Sequence, residues 1–212
     1  MKKEMKKSIT YSFLVTVIVI ALISIWTITS VQRQFQKKEA VFEFVNDSLN
    51  RVIKYSDFYT RQAKILWGNR AGTCTPSTVV MVDSIVRHCG KGYITTQTIL
   101  AVMAKESGFH PQAISYTGDK GLMQISKGTG KQYGLVTNKD FFNPVKNTVA
   151  GVKYLVSLIQ IFGGDKALAI LSYNQGPSNV SIALKDGENI NYDYYYSVLR
   201  HTYLYAQLQR EM

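Results

Sequence analysis

The chain has 212 residues, enough for one domain of ordinary size and an additional segment. Its 25 Lys+Arg against 14 Asp+Glu give a net charge of +11, which favours anionic partners: nucleic acid, lipid headgroups or cell-envelope polymers. No nucleic-acid recognition motif accompanies that charge, and His88, His110 and His201 are scattered, so neither nucleic acid nor a metal or other cofactor is expected.

Residues 1–10 read as a basic cytoplasmic head carrying Lys2, Lys3, Lys6 and Lys7. An uncharged run from Tyr11 to Ile28 follows, and a helix of that length roughly spans a hydrocarbon core. No small-x-small cleavage site comes after it, so an uncleaved signal anchor over 11–29 is expected, with a removed signal peptide as the alternative. Arg33, Lys37 and Lys38 on the far side leave the positive-inside bias weak. Residues 30–75 read as a stalk or linker, partly helical, with an apolar stripe at Val41, Phe44, Val45, Leu49, Val52 and Ile53. Cys74 and Cys89 lack the further ligands of a zinc site. A disulfide between them fits and would imply an oxidising compartment; two reduced thiols are the alternative.

From residue 76 the chain reads as mainly α. "STVVMVDSIVRHCG" predicts a helix stopped by Gly90, and "TTQTILAVMAKESG" a second one, capped by Thr95 or Thr96 and closed by Gly108. Residues 109–142 are expected to be irregular. "KGTGKQ" within them lacks the first glycine and the Ser/Thr of a phosphate loop. Asn143-Pro144 starts a third helix with Val145, Val149, Val152, Val156 and Ile159 as its buried face. Asp165 caps "KALAILSYN", which Gly176-Pro177 ends, and "NYDYYYSVLRHTYLYAQLQ" predicts a last helix with an aromatic face. One tyrosine among Tyr192, Tyr194, Tyr195 and Tyr196 is expected at a functional groove; the others read as packing.

Glu106 closes a helix side that also holds Ile99, Val102 and Met103. Partial burial and the negative end of the helix dipole both disfavour its charged form. A carboxyl still protonated near neutral pH is what general-acid catalysis on a glycosidic oxygen requires. By itself, a glutamate in a last helical turn is usually just solvated.

The set "KES" (105–107), Ser115, "GLMQIS" (121–126), "NPVKN" (143–147), "GVKYL" (151–155) and "SYNQG" (172–176) resembles the catalytic domain of the soluble lytic transglycosylase family, related in fold to goose-type lysozyme. The resemblance covers roughly residues 78–200. It implies a lysozyme-like helical domain over 76–212 that cleaves the bond between N-acetylmuramic acid and N-acetylglucosamine in peptidoglycan and leaves a 1,6-anhydro end. It implies Glu106 as the single catalytic acid and base, and Tyr173 as the residue whose hydroxyl orients it. It further implies Ser115, Gln124 and Asn174 as substrate-binding, and Gly121 and Gly176 as glycines that let loops approach closely. Asp119 stands where the family usually has a small residue. As a second carboxylate it would position a water and make the enzyme a hydrolytic muramidase. A non-enzymatic peptidoglycan-binding assembly factor is the third reading. With an anchor, the architecture implies a single-pass protein of the cytoplasmic membrane. Its catalytic domain would lie on the periplasmic side and open the wall locally for an envelope-spanning machine or a phage particle.

Overall fold

The computed structural model describes the backbone over residues 2–67 and 74–210, and side chains over 20–61 (except 44, 48 and 55) and 74–203. It divides into two compact units, Met1–Asn50 and Arg51–Met212. The first consists of one helix, α1 (Lys2–Trp67), which runs on into the second. Part of the anchor expected over 11–29 lies outside the described side chains. Among the described residues, no helix is long and apolar enough to cross a membrane.

The second unit begins with the last turns of α1, which bury Ser56 and Tyr59. Then come α2 (Pro76–Cys89), α3 (Thr96–Ser107), the short α4 (Lys127–Gln132) and α5 (Asn138–Phe141), α6 (Pro144–Ile161), α7 (Lys166–Gln175), α8 (Pro177–Asp186) and α9 (Asp193–Arg210). Thr95, Asn143 and Asp165 accept backbone N–H bonds as N-caps, where the sequence places them. The region expected to be irregular holds α4 and α5, with "KGTGKQ" forming α4. Gly176-Pro177 ends α7 and also starts α8, with Pro177 in its first turn.

Six successive residues of α3, Ile99 to Ala104, are buried. Burial on every side makes α3 the central helix rather than one with a single buried face. Helices α2 and α9 pack on it, and α6 packs on α2 and α7. In α6 the first turn, Pro144 to Lys146, stands clear of the core, so Val145 is 52% exposed against expectation. The buried face starts instead with Asn147 and Thr148 and continues through Val152, Val156 and Ile159.

The expected disulfide is absent: Cys74 is a buried free thiol and Cys89 a half-buried one. The reason is the helix between them. Cys74 precedes α2 and Cys89 is its last residue, and 14 helical residues at about 1.5 Å each separate them by roughly 20 Å. A disulfide needs Cα atoms within about 7 Å. Burial pushes the Cys74 thiol up to about 12, so it stays uncharged and inert.

Candidate active site

The site starts at the C-terminal end of α3. Gly108 adopts φ 57°, a left-handed conformation that glycine takes without strain, and its N–H bonds back to Ala104. That stop leaves Glu106 in the last turn. Ser107 fastens the same turn outward, its Oγ donating to the Leu122 carbonyl at 2.8 Å. Glu106 Oε1 accepts a short hydrogen bond from the Tyr194 hydroxyl on α9. Burial, aided by the negative charge of Asp119, pushes the Glu106 carboxyl up to about 7; the Tyr194 hydrogen bond and Lys105 pull the other way without reversing it. A carboxyl in this state exists in both protonation forms near neutrality.

The sequence pattern alone does not single out Tyr194 among the four tyrosines. Its spacing carries a signal: Tyr194, Val198 and His201, four and three residues apart, are the buried positions among the described residues of α9. Tyr173, expected to hold the glutamate, instead donates its hydroxyl to the Met123 carbonyl at 2.8 Å. The difference lies in what each hydroxyl meets. Tyr173 lies on α7 beside the loop carrying Met123, whereas α9 packs directly along α3. Burial, and after it the negative charge on Glu106, push the ionisation of Tyr173 up, so the two groups lie within electrostatic range.

The loop between α3 and α4 forms one wall. Ile114 bridges to Lys120, and Lys120 to Ile125, folding the loop back on itself. Asp119 Oδ2 accepts from Thr117 Oγ1 at 2.7 Å and from Ser115 Oγ at 3.2 Å, while its N–H donates to Ser115 Oγ. Ser115 and Asp119 therefore close one turn. Gln124 sits at φ 45°, a left-handed position unusual for a side-chain-bearing residue, and its Nε2 donates to the Gly121 and Ala113 carbonyls. Buried Asn147 pins this loop to α6. Its Oδ1 accepts from Met123 N at 2.7 Å, and its Nδ2 donates to the Lys120 and Phe141 carbonyls at 2.9 Å each. Gly121, at φ 81°, is where that pin passes: a Cβ there would meet Asn147 Nδ2 and the Phe141 carbonyl at 2.4 Å. The close approach expected of Gly121 is thus present. At Gly176 the left-handed φ of 85° is present, but the nearest atom to a Cβ would be 3.8 Å away.

Between this wall and α7 lies an open cleft of about 270 Å³ whose lining includes Asp119, Gln124, Tyr154, Tyr173, Asn174 and Gly176. Asn174 is exposed. Ser115 is tied to the cleft through Asp119. The rings of Tyr133, Tyr154 and Tyr173 follow one another at centroid distances of 6.0 and 5.3 Å, forming an aromatic row. Glu106 stands close enough to Asp119 and Tyr173 for their charges to interact.

A family model described as "Transglycosylase SLT domain" matches residues 85–195, from the second half of α2 into α9. The chain belongs to the Transglycosylase SLT domain family. Among relatives of this SLT-domain chain, the membrane-bound lytic murein transglycosylase F of Desulfosudis oleivorans is 37% identical over 103 residues, 46% of this chain and 22% of the relative. The peptidoglycan transglycosylase gp16 of Escherichia phage T7 is 45% identical over 75 residues, 34% of this chain and 6% of the relative. A solved structure of an inactive mutant of the lytic transglycosylase Slt from Pseudomonas aeruginosa is 27% identical with a TM-score of 0.53, covering 63% of this chain and 24% of that one. The SLT-domain chain thus spans under a quarter of the length of each of these relatives, and the family model's match lies in the helical domain that carries Glu106.

Proposed function

We propose that the protein is a peptidoglycan lytic transglycosylase acting through Glu106. The observation that carries this reading is a carboxyl raised to about 7, held by one tyrosine hydroxyl beside a cleft with an aromatic row, in a chain of the SLT family. In the proposed reaction, protonated Glu106 gives its proton to the oxygen linking N-acetylmuramic acid to N-acetylglucosamine, and that bond breaks. The acetamido group of the muramic sugar stabilises the positive charge at its C1. Glu106, now a carboxylate, takes the proton of the 6-hydroxyl, whose oxygen bonds to C1 and closes the 1,6-anhydro ring. Water is neither consumed nor released, and Glu106 returns to its starting form.

The tyrosine row, Gln124 and Asn174 are assigned to sugar binding, with Ser115 beside the acetamido group. Asp119 is assigned to the turn rather than to a water, because its Oδ2 already accepts two hydroxyls. The uncharged run at Tyr11–Ile28 is assigned to a single-pass anchor with the domain on the extracytoplasmic side. Anchoring would restrict cutting to wall near the membrane, as suits local opening for an envelope-spanning apparatus or an entering phage. The test is to incubate the full chain, in detergent, with purified peptidoglycan and weigh the fragments. Anhydro ends are expected. Products heavier by one water would make it a muramidase, and no products from a folded preparation would leave a binding module.

A further inference from the structure

The helix of the first unit carries an apolar row that nothing else among the described residues of that unit covers. Ile28, Val31, Phe35, Phe42, Val45 and Leu49 are between 46% and 72% exposed. Their spacings of three, four, seven, three and four residues are a heptad repeat, interrupted only at Lys38. A face that lies on lipid or in a globular groove is broad and follows 3.6 residues per turn, but Gln32, Glu39 and Asn46, which would broaden it, are polar. On the other side Val41 and Phe44 widen it, over a single turn. Charged Arg33, Lys37, Glu43 and Asp47 occupy the outer heptad positions. A narrow two-in-seven seam drifts by about 20° per heptad around a straight helix, so it stays in contact only with another helix that winds around it. In the second unit the same row continues as Val52, Ser56 and Tyr59, and there the domain core covers it.

We propose that residues 31–49 form a parallel, in-register coiled coil with the same segment of a second copy of this chain. Lys38 sets the register. Matched copies bring the two lysines to one level, where their stems lie along the seam and the ammonium groups reach water. A shift by one heptad would bury each lysine among the apolar residues. The pairing would hold two SLT domains on one stalk.

The test uses the full chain in mild detergent, with helix content checked by circular dichroism. Sedimentation should give a dimer, and the double variant F42D/L49D should weaken association at least tenfold. F42C and L49C should yield disulfide-linked dimers under mild oxidation, while R33C and A40C, at outer positions, stay at the baseline set by the free Cys74 and Cys89. A monomer at all concentrations, or equal cross-linking from R33C and F42C, overturns the proposal. Quenching of a fluorophore on F42C by brominated lipid in vesicles, without cross-linking, overturns it in favour of a membrane-lying face.

Discussion

The end of α3 and the loop from Ala113 to Ser126 lie side by side and solve opposite problems. Around Glu106 a half-buried carboxyl has few partners: one tyrosine hydroxyl is its hydrogen-bond donor among the described residues, and a carboxylate, Asp119, is one of its charged neighbours. In the loop, polar atoms are tied to one another and to Asn147. Scarcity of partners leaves a proton weakly decided between bound and free. Abundance of partners makes a wall that keeps its shape. Substitutions at Glu106 and its tyrosine partner should therefore change chemistry with little loss of fold, and substitutions in the wall the reverse.

Glu106→Gln is the strongest way to break that division. Turnover should fall by about 10²–10⁴-fold, while the fold is retained. Stability should move upward. The folded carboxyl binds its proton more tightly than the unfolded chain, about 7 against 4.5, so wild-type stability is full below pH 4.5 and is lost as pH rises through 7. The neutral amide escapes this loss, so at pH 8 the variant should gain up to about 3 kcal/mol over its standing at pH 4. Urea unfolding at the two pH values checks it.

Tyr194→Phe comes next. Loss of a charge-assisted hydrogen bond of roughly 2 kcal/mol should slow turnover by about 10–30-fold. Because that bond lowers the Glu106 ionisation, the alkaline limb of the pH–rate profile should move to higher pH.

Asn147→Ala attacks the wall instead. It leaves one backbone N–H and two carbonyls buried without this partner, and should destabilise the domain by roughly 3 kcal/mol in chemical denaturation. The Glu106 titration midpoint should barely move. Asp119→Asn is milder and sharpens the comparison, because Asp119 belongs to both regions. Removing its charge should shift the alkaline limb to lower pH while fragment masses still report anhydro ends. Tyr173→Phe should be smallest, about 1 kcal/mol of stability from the Met123 carbonyl left without its donor.

What could be read from the sequence was whatever is decided within a turn or two of chain. Thr95, Asn143 and Asp165 as caps and Gly108 as a stop are local contests between side chain and backbone, and their residue types announce them. Glu106 was legible because a carboxylate in the last turn of an apolar helix is an exception to pattern. Its partner was not. Tyr194 lies 88 residues away, and only the packing of α9 on α3 chooses it over Tyr173. Asn147 was visible as part of a motif, but its three hydrogen bonds reach a loop more than twenty residues upstream and a turn just before it. The short α4 and α5 hold too few residues to show a period. The disulfide is a different case: the helix predicted between Cys74 and Cys89 already separates them too far to bond.

The central claim is that the Glu106 side chain holds its proton into the neutral range. Carbon-13 NMR of glutamate carboxyls, with the resonance assigned by its loss in Glu106→Gln, measures this directly. A midpoint near 7, moving higher in Tyr194→Phe, is the predicted result. A midpoint near 4.5, unmoved by removal of the tyrosine hydroxyl, would contradict it.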